Sequence, residues 1–223
     1  MKHTEKEMLE LREEVSQMWK LVISQLEKAQ KALIEHDVEL AREVSSREKR
    51  VDVFELKIDS DSENYIALYS PVAVDLRLIL SIMKITNTLE RIGDFAAGIA
   101  RFVIDEEEGT TDKELFEDLG IETAFSQLIA MLSDCYVALE SENTKLAGKV
   151  IGEDNKIDAF YHNAVEVLTR YTQKNPENAA YYLRLIILIR KMERIGDHCS
   201  NIVEEISFYV DAKVLKHSKL NKE

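Results

Sequence analysis

The pentapeptide Glu-Arg-Ile-Gly-Asp occurs twice in this chain of 223 residues, as Glu90-Arg91-Ile92-Gly93-Asp94 and as Glu193-Arg194-Ile195-Gly196-Asp197. Both copies lie deep inside stretches with helical periodicity, so an internal repeat is the economical explanation, with two units of roughly 105 residues each. Glycine costs roughly 1 kcal/mol against alanine inside a helix. Its presence at the same point of both copies implies close backbone approach there, by a neighbouring helix or a ligand.

The two prolines and seven glycines are few, and Leu, Ile, Ala, Glu and Lys are abundant, which points to an all-α chain with few turns. Six helices follow from periodicity and breakers. The first spans about Thr4 to Leu33, with Leu11, Val15, Met18, Val22, Leu26, Ala29 and Leu33 on one stripe. Asp37 reads as the N-cap of a second, reaching about Leu68, with Ala41, Val44, Val51, Ile58 and Tyr65 in heptad register. Ser70-Pro71 ends it. A third opens near Pro71 and runs through Leu76, Leu80, Met83, Glu90, Asp94 and Ala97 to about Val103. The acidic segment Asp105 to Thr111, containing Gly109, separates the repeats, which are drawn as residues 1–107 and 108–223. The second copy holds helices at about Asp112 to Leu139, Asn143 to Tyr171 and Glu177 to Val210, with Asn175-Pro176 echoing Ser70-Pro71 and a basic, frayed tail after Asp211. Two tandem antiparallel three-helix bundles result.

Glu48 and Asp52 stand four residues apart on the second helix, and Asp154 and Asp158 do so at the corresponding place on the fifth. Such pairs share one helix face. Glu48/Asp52 are expected to face Glu90/Asp94 in the first copy, and Asp154/Asp158 to face Glu193/Asp197 in the second. Acid pairs at this spacing are common on solvated faces. These, however, fall on or beside apolar seams: Glu48 continues the row of Ala41, Val44 and Val51, Asp154 and Asp158 interrupt Ile151, Tyr161 and Val165, and Glu90 follows Leu80 and Met83. Carboxylates at a helix interface must be neutralised. Protonation, pairing with Arg91 and Arg194, or a bound metal would each serve. An all-oxygen donor set suits magnesium, manganese or iron, with zinc also feasible. Asn87 and Asn201 are further ligand candidates or carbonyl partners, Asn201 the stronger because it lies one turn beyond Asp197. Glu55 and Asp59 read as exposed charges, His162 and His198 as surface or packing residues, and Tyr161, Tyr181 and Tyr182 as core or interface.

Composition narrows the function classes. Forty-two acidic against 29 basic residues give a net charge of −13, which disfavours a nucleic-acid surface and favours cations or basic partners. The polar N-terminus lacks the apolar core of a secretory signal, so a cytoplasmic location is expected. The most apolar run, Leu183 to Ile189, is interrupted by Arg184, too short to span a bilayer, and reads as a buried helix face. Cys135 and Cys199 have no Cys-x-x-Cys spacing and read as small buried hydrophobes. No phosphate-cradling glycine loop, H-E-x-x-H helix or G-x-S-x-G elbow is present, so enzymatic motifs find no support. A carboxylate-bridged di-metal oxidase is the rival from another class. It normally needs Glu-x-x-His pairs, and none of the five histidines has Glu three residues before it. A metal-free helical scaffold with acids paired to arginine is the third reading.

At these residues the chain resembles the PhoU family of phosphate-uptake regulators, whose mark is a duplicated three-helix bundle with E(D)xxxD motifs in each half. Both Glu-Arg-Ile-Gly-Asp strings, the trailing His198, Asn201 and Ile202, and the Pro71, Asp75, Leu76, Arg77 entry to the third helix carry the likeness, which covers nearly the whole chain. The resemblance implies a cytoplasmic regulator, not an enzyme, that restrains phosphate-starvation signalling and phosphate import. It also implies work with a sensor histidine kinase and a phosphate ABC-transporter ATPase, iron or zinc on the acidic motifs, and a homodimer. Gly98 replaces Asn201 in the first copy, and Asp154/Asp158 uses the shorter acid twice, so unequal metal occupancy of the two sites is expected.

Overall fold

A computed structural model describes residues 3–106 and 112–212. The helices in chain order are α1 (His3–Glu35), α2 (Val38–Ser46), α3 (Glu48–Tyr69), α4 (Val74–Asp105), α5 (Lys113–Leu119), α6 (Ile121–Glu140), α7 (Thr144–Lys174) and α8 (Ala179–Asp211), with one turn of 3-10 helix at Pro176–Asn178 before the last. No strand occurs among the described residues. The repeat boundary at 107/108, Gly109 and the tail from 213 onward lie outside them.

The helix starts are chemical. Asp37 accepts the N–H of Leu40 at 2.9 Å, Asp112 that of Leu115 at 3.0 Å, and Asn143 those of Lys145 and Leu146, each satisfying donors that a first helical turn leaves free. Two expected helices are each broken in two. The second breaks at Arg47, whose N–H bonds back to Val44 and Ser45 carbonyls. The fourth breaks at Gly120, which adopts φ 73° and closes α5 as a left-handed C-terminal residue. Pro71 precedes α4 by three residues instead of opening it, because Ser70 and Ala73 both take positive φ in the connection. Likewise α8 begins at Ala179, beyond the short turn that Pro176 starts.

The first bundle is α1, α2–α3 and α4, and the second is α5–α6, α7 and α8. All seven residues of the expected α1 stripe are buried, as are Ala41, Val44, Val51, Ile58 and Tyr65. The seams expected on α4 and α7 are rotated. Leu80 and Val165 are exposed, whereas Ile79, Ile82, Ile85 and Leu89 on α4 and Ala147, Val150, Ile157 and Ala164 on α7 form the core. Leu183 and Ile187 are also exposed, so the apolar run of α8 is only partly a buried face. Among the described residues, no helix is long and apolar enough to cross a membrane.

Two contacts join the bundles. In the first, α1 packs on α6, where fully buried Trp19 donates its indole N–H to the carbonyl of Leu132 at 3.1 Å and Ser16 hydrogen-bonds the Tyr136 hydroxyl at 2.7 Å. In the second, α4 packs on α8. Arg77 reaches the Tyr209 carbonyl, Ser81 donates to that of Glu205, and Gly98 faces Lys191, so partners step forward along one helix as they step back along the other. The helices are therefore antiparallel and cross where the two pentapeptides sit. Trp19→Ala should remove about 3–5 kcal/mol of stability, read as a lowered urea midpoint.

Candidate functional site

Halfway along α4 and α8, the repeated pentapeptides turn their acids outward from the crossing toward the third helix of each bundle. In the first repeat, Glu90 and Asp94 lie one turn apart on α4 and meet Asp52 from α3, with one carboxylate oxygen from each of the three within 4.8 Å of the others. In the second, Asp154 and Asp158 of α7 meet Asp197 of α8 within the same limit. The expected pairing of helices is thus correct in both repeats, with three of each four carboxylates converging.

The fourth member of each set is engaged by an arginine. Glu48, at the α3 start, accepts from Arg101 Nη1 at 2.9 Å, and Glu193, 7% exposed, accepts on Oε1 from Arg190 Nη1 at 2.5 Å. The Arg190 guanidinium also lies 5.1 Å from the Tyr161 ring centroid. Arg101 and Arg190, not Arg91 and Arg194, supply the neutralising pairs. Neither of the latter two forms a direct ion pair among the described residues: Arg194 lies over the Phe95 ring in the α4–α8 contact, and Arg91 acts on Glu90 through its nearby charge alone. Helical spacing held the signal: Arg190 is one turn before Glu193, and Arg101 two turns beyond Asp94.

Asn201 is exposed. Its neighbour Ser200 donates to Asp154 Oδ2 at 3.0 Å. Asn87 is also exposed and donates to Glu55 at 2.9 Å. Asp59 is half-buried instead of exposed, and burial pushes its carboxyl pKa up. His162 is exposed, with Nδ1 at 2.7 Å from the Asp158 carbonyl. His198 packs against Phe95, and burial lowers its pKa to about 4.

The glycines have different reasons in the two copies. A Cβ on Gly196 would lie 2.7 Å from Asp154 Oδ1 and 3.3 Å from Ile157, so only glycine lets this fully buried carboxylate lie against the α8 backbone. A Cβ on Gly93 would meet Val51 and Gln25 at 3.4 Å, an ordinary contact. Gly196→Ala should cost about 1–3 kcal/mol by overpacking, whereas Gly93→Ala should be neutral or stabilising by up to about 1 kcal/mol, with paired urea titrations as the measure.

Burial and crowding favour the protonated form of these carboxyls. Burial, then the neighbouring Asp94, raises the Glu90 pKa to about 7, and burial also raises Asp94 and Glu193. A carboxyl whose folded pKa exceeds its unfolded value stabilises the fold fully below about 4.5 and loses that contribution as pH rises through about 7. In chelator-treated protein, Glu90→Gln should therefore flatten the decline in stability across this window. The variant should be more stable at pH 8 by about 1 kcal/mol once solvent screening is allowed for, read by thermal melts.

The carboxylate-only donor sets, with Glu48 and Glu193 adjacent, could hold a hard divalent or trivalent cation. Glu193 Oε2 is buried with no hydrogen-bond partner among the described residues, an acceptor placed beside Asp197, Asp158 and Asp154.

Comparison with known proteins agrees with the duplication. The family model described as the PhoU domain matches twice, over residues 15–103 and 121–206. The phosphate-specific transport system accessory protein PhoU homolog of Aquifex aeolicus is 34% identical over 216 residues, covering 96% of each chain. The phosphate-specific transport system accessory protein PhoU of Escherichia coli is 32% identical over 211 residues, covering 95% of this chain and 86% of its own. The crystal structure of PhoU from Pseudomonas aeruginosa superposes with a TM-score of 0.88 at 33% identity, covering 94% of this chain and 99% of the other.

Proposed function

The chain belongs to the PhoU family, and on that premise we propose that it regulates phosphate uptake as a cytoplasmic accessory of a phosphate transport system, by docking and not by catalysis. In this reading it restrains a sensor histidine kinase and the ATPase of a phosphate ABC transporter, works as a homodimer, and carries metal on its two acid groups. Exposed helix faces would meet the partners, and metal would stiffen the α3–α4 and α7–α8 seams behind them.

The observation that carries the metal part is the pair of three-carboxylate groups, Asp52/Glu90/Asp94 and Asp154/Asp158/Asp197, each within one ion's reach. The orphaned Oε2 of buried Glu193 adds a further acceptor in the second. Glu48 and Glu193 would complete the two sets when their arginines release them. Iron, manganese, magnesium and zinc all remain chemically admissible for such oxygens. The oxidase reading lacks support, since the groups contain no imidazole. The metal-free scaffold has one observation in its favour, the Glu48–Arg101 and Glu193–Arg190 pairs.

Elemental analysis by mass spectrometry of protein purified without chelator separates these readings. Bound metal is expected, and Glu193→Ala with Asp197→Ala should lower it and impair phosphate-dependent repression. Unchanged metal content and repression would reduce the acids to a structural role, and oxygen consumption by iron-loaded protein would favour the oxidase. If the arginines compete with metal for the fourth carboxylate, Arg101→Gln and Arg190→Gln should each tighten metal binding by about fivefold, the equivalent of about 1 kcal/mol. Weaker binding in both variants would mean that the arginines organise the sites.

A further inference from the structure

A cavity of about 290 Å³ opens between the repeats, at the end of the bundles where α1 and α4 finish and α5 and α8 begin. It lies apart from the acid groups, because Phe102 stands about two turns beyond Asp94 on α4 and Tyr182 about three turns before Glu193 on α8. Ligand clefts commonly hold about 300–1,000 Å³, so this one has room for a small molecule or a head group and not for a nucleotide.

Four aromatic residues line it: Phe102 from α4, Phe116 from α5, and Tyr181 and Tyr182 from α8. The Phe102 and Tyr181 ring centroids are 6.1 Å apart at an interplanar angle of 43°, and those of Tyr181 and Tyr182 are 5.9 Å apart at 64°, so the rings stand inclined to one another as walls and do not stack flat. Two carboxylates, Glu106 at the end of α4 and Asp112 just before α5, belong to the same lining. Their charges meet on one wall: burial first, then Glu106 and Asp112, push the Tyr181 hydroxyl up to about 12, with Arg184 opposing. A cavity that joins aromatic faces to negative charge favours an organic cation over an anion or a neutral ligand. The carboxylates also narrow the kind of cation. Glu106 Oε1 accepts from Arg184 Nε at 2.5 Å, and Asp112 Oδ1 accepts from the Leu115 N–H at 3.0 Å. A guanidinium fork engages both oxygens of one carboxylate, and here each carboxylate has one oxygen taken. Negative field and ring faces are what remain, and a quaternary ammonium uses both without needing a hydrogen bond.

We propose that this cavity binds a small quaternary ammonium group, caged by the rings of Phe102, Phe116, Tyr181 and Tyr182 beside the carboxylates of Glu106 and Asp112. Its occupant touches α4 of the first repeat and α5 and α8 of the second, so binding ties the two repeats at the end remote from their acid groups. The site needs neither metal nor the regulatory role.

Calorimetric titration of the full-length chain with choline tests the site, in about 0.15 M salt to screen diffuse attraction to a protein of net charge −13. The uncharged carbon isostere of choline, with a tert-butyl group in place of the trimethylammonium, and methylguanidinium are the comparison probes. Saturable binding of one choline per chain is expected, with the isostere weaker by about tenfold or more. Tyr181→Leu removes a ring face, and Asp112→Asn removes a charge while keeping a residue that caps the helix equally well. Each should weaken choline binding by about fivefold or more, whereas Asp197→Ala, in the separate acid group, should leave it unchanged. Thermal melts confirm that the variants fold. Absence of choline binding, equal binding of the isostere, tighter binding of methylguanidinium, affinity undiminished in either cavity variant, or its loss in Asp197→Ala overturns the site.

Discussion

The antiparallel crossing of α4 and α8 is the constraint on which the rest of the molecule depends. It joins the two bundles and places both copies of the pentapeptide at one spot. It also sorts the motif's side chains by direction: isoleucines inward, acids toward the third helix of each bundle, arginines along the seam. A five-residue string has room for all three tasks because successive helical residues point about 100° apart. The buried carboxylate of Asp154 uses the other side of α8, resting on the α7–α8 seam where Gly196 has no side chain.

The two halves have solved one electrostatic problem differently. Each brings four carboxylates to a helix seam, and each ties one of them to an arginine. In the first half that is the α3 residue Glu48, and in the second the α8 residue Glu193. The remaining triads differ accordingly. The first contains Glu90, whose burial beside Asp94 holds its pKa near neutrality, while the second relies on three aspartates and a serine donor. On the proposed metal reading, this divergence predicts unequal affinity of the two groups for a cation.

The all-α class, the repeat, the helix pairing and the meeting of six of the eight carboxylate candidates are legible in the sequence because periodicity and duplication are local properties. What escaped were features set by neighbours. Arg47 interrupts a helix with no glycine or proline to announce it. Gly120 did announce a break, but it lay within an otherwise unbroken apolar pattern. The phase of the α4 and α7 seams escapes too, since Leu80 and Val165 are exposed and the packed faces lie a fraction of a turn away. The directly paired arginines, Arg101 and Arg190, escape for a related reason: neighbours in sequence diverge around a helix, and only residues three, four or seven apart share a face.

Trp19 is the chain's only tryptophan. Because it is fully buried and hydrogen-bonded to Leu132 in the other repeat, its fluorescence is a built-in optical gauge of the joint between the halves. A parting of the bundles that left every helix intact would wet the indole and redden its emission while circular dichroism stayed constant, so docking-induced opening can be told from unfolding without attaching a label.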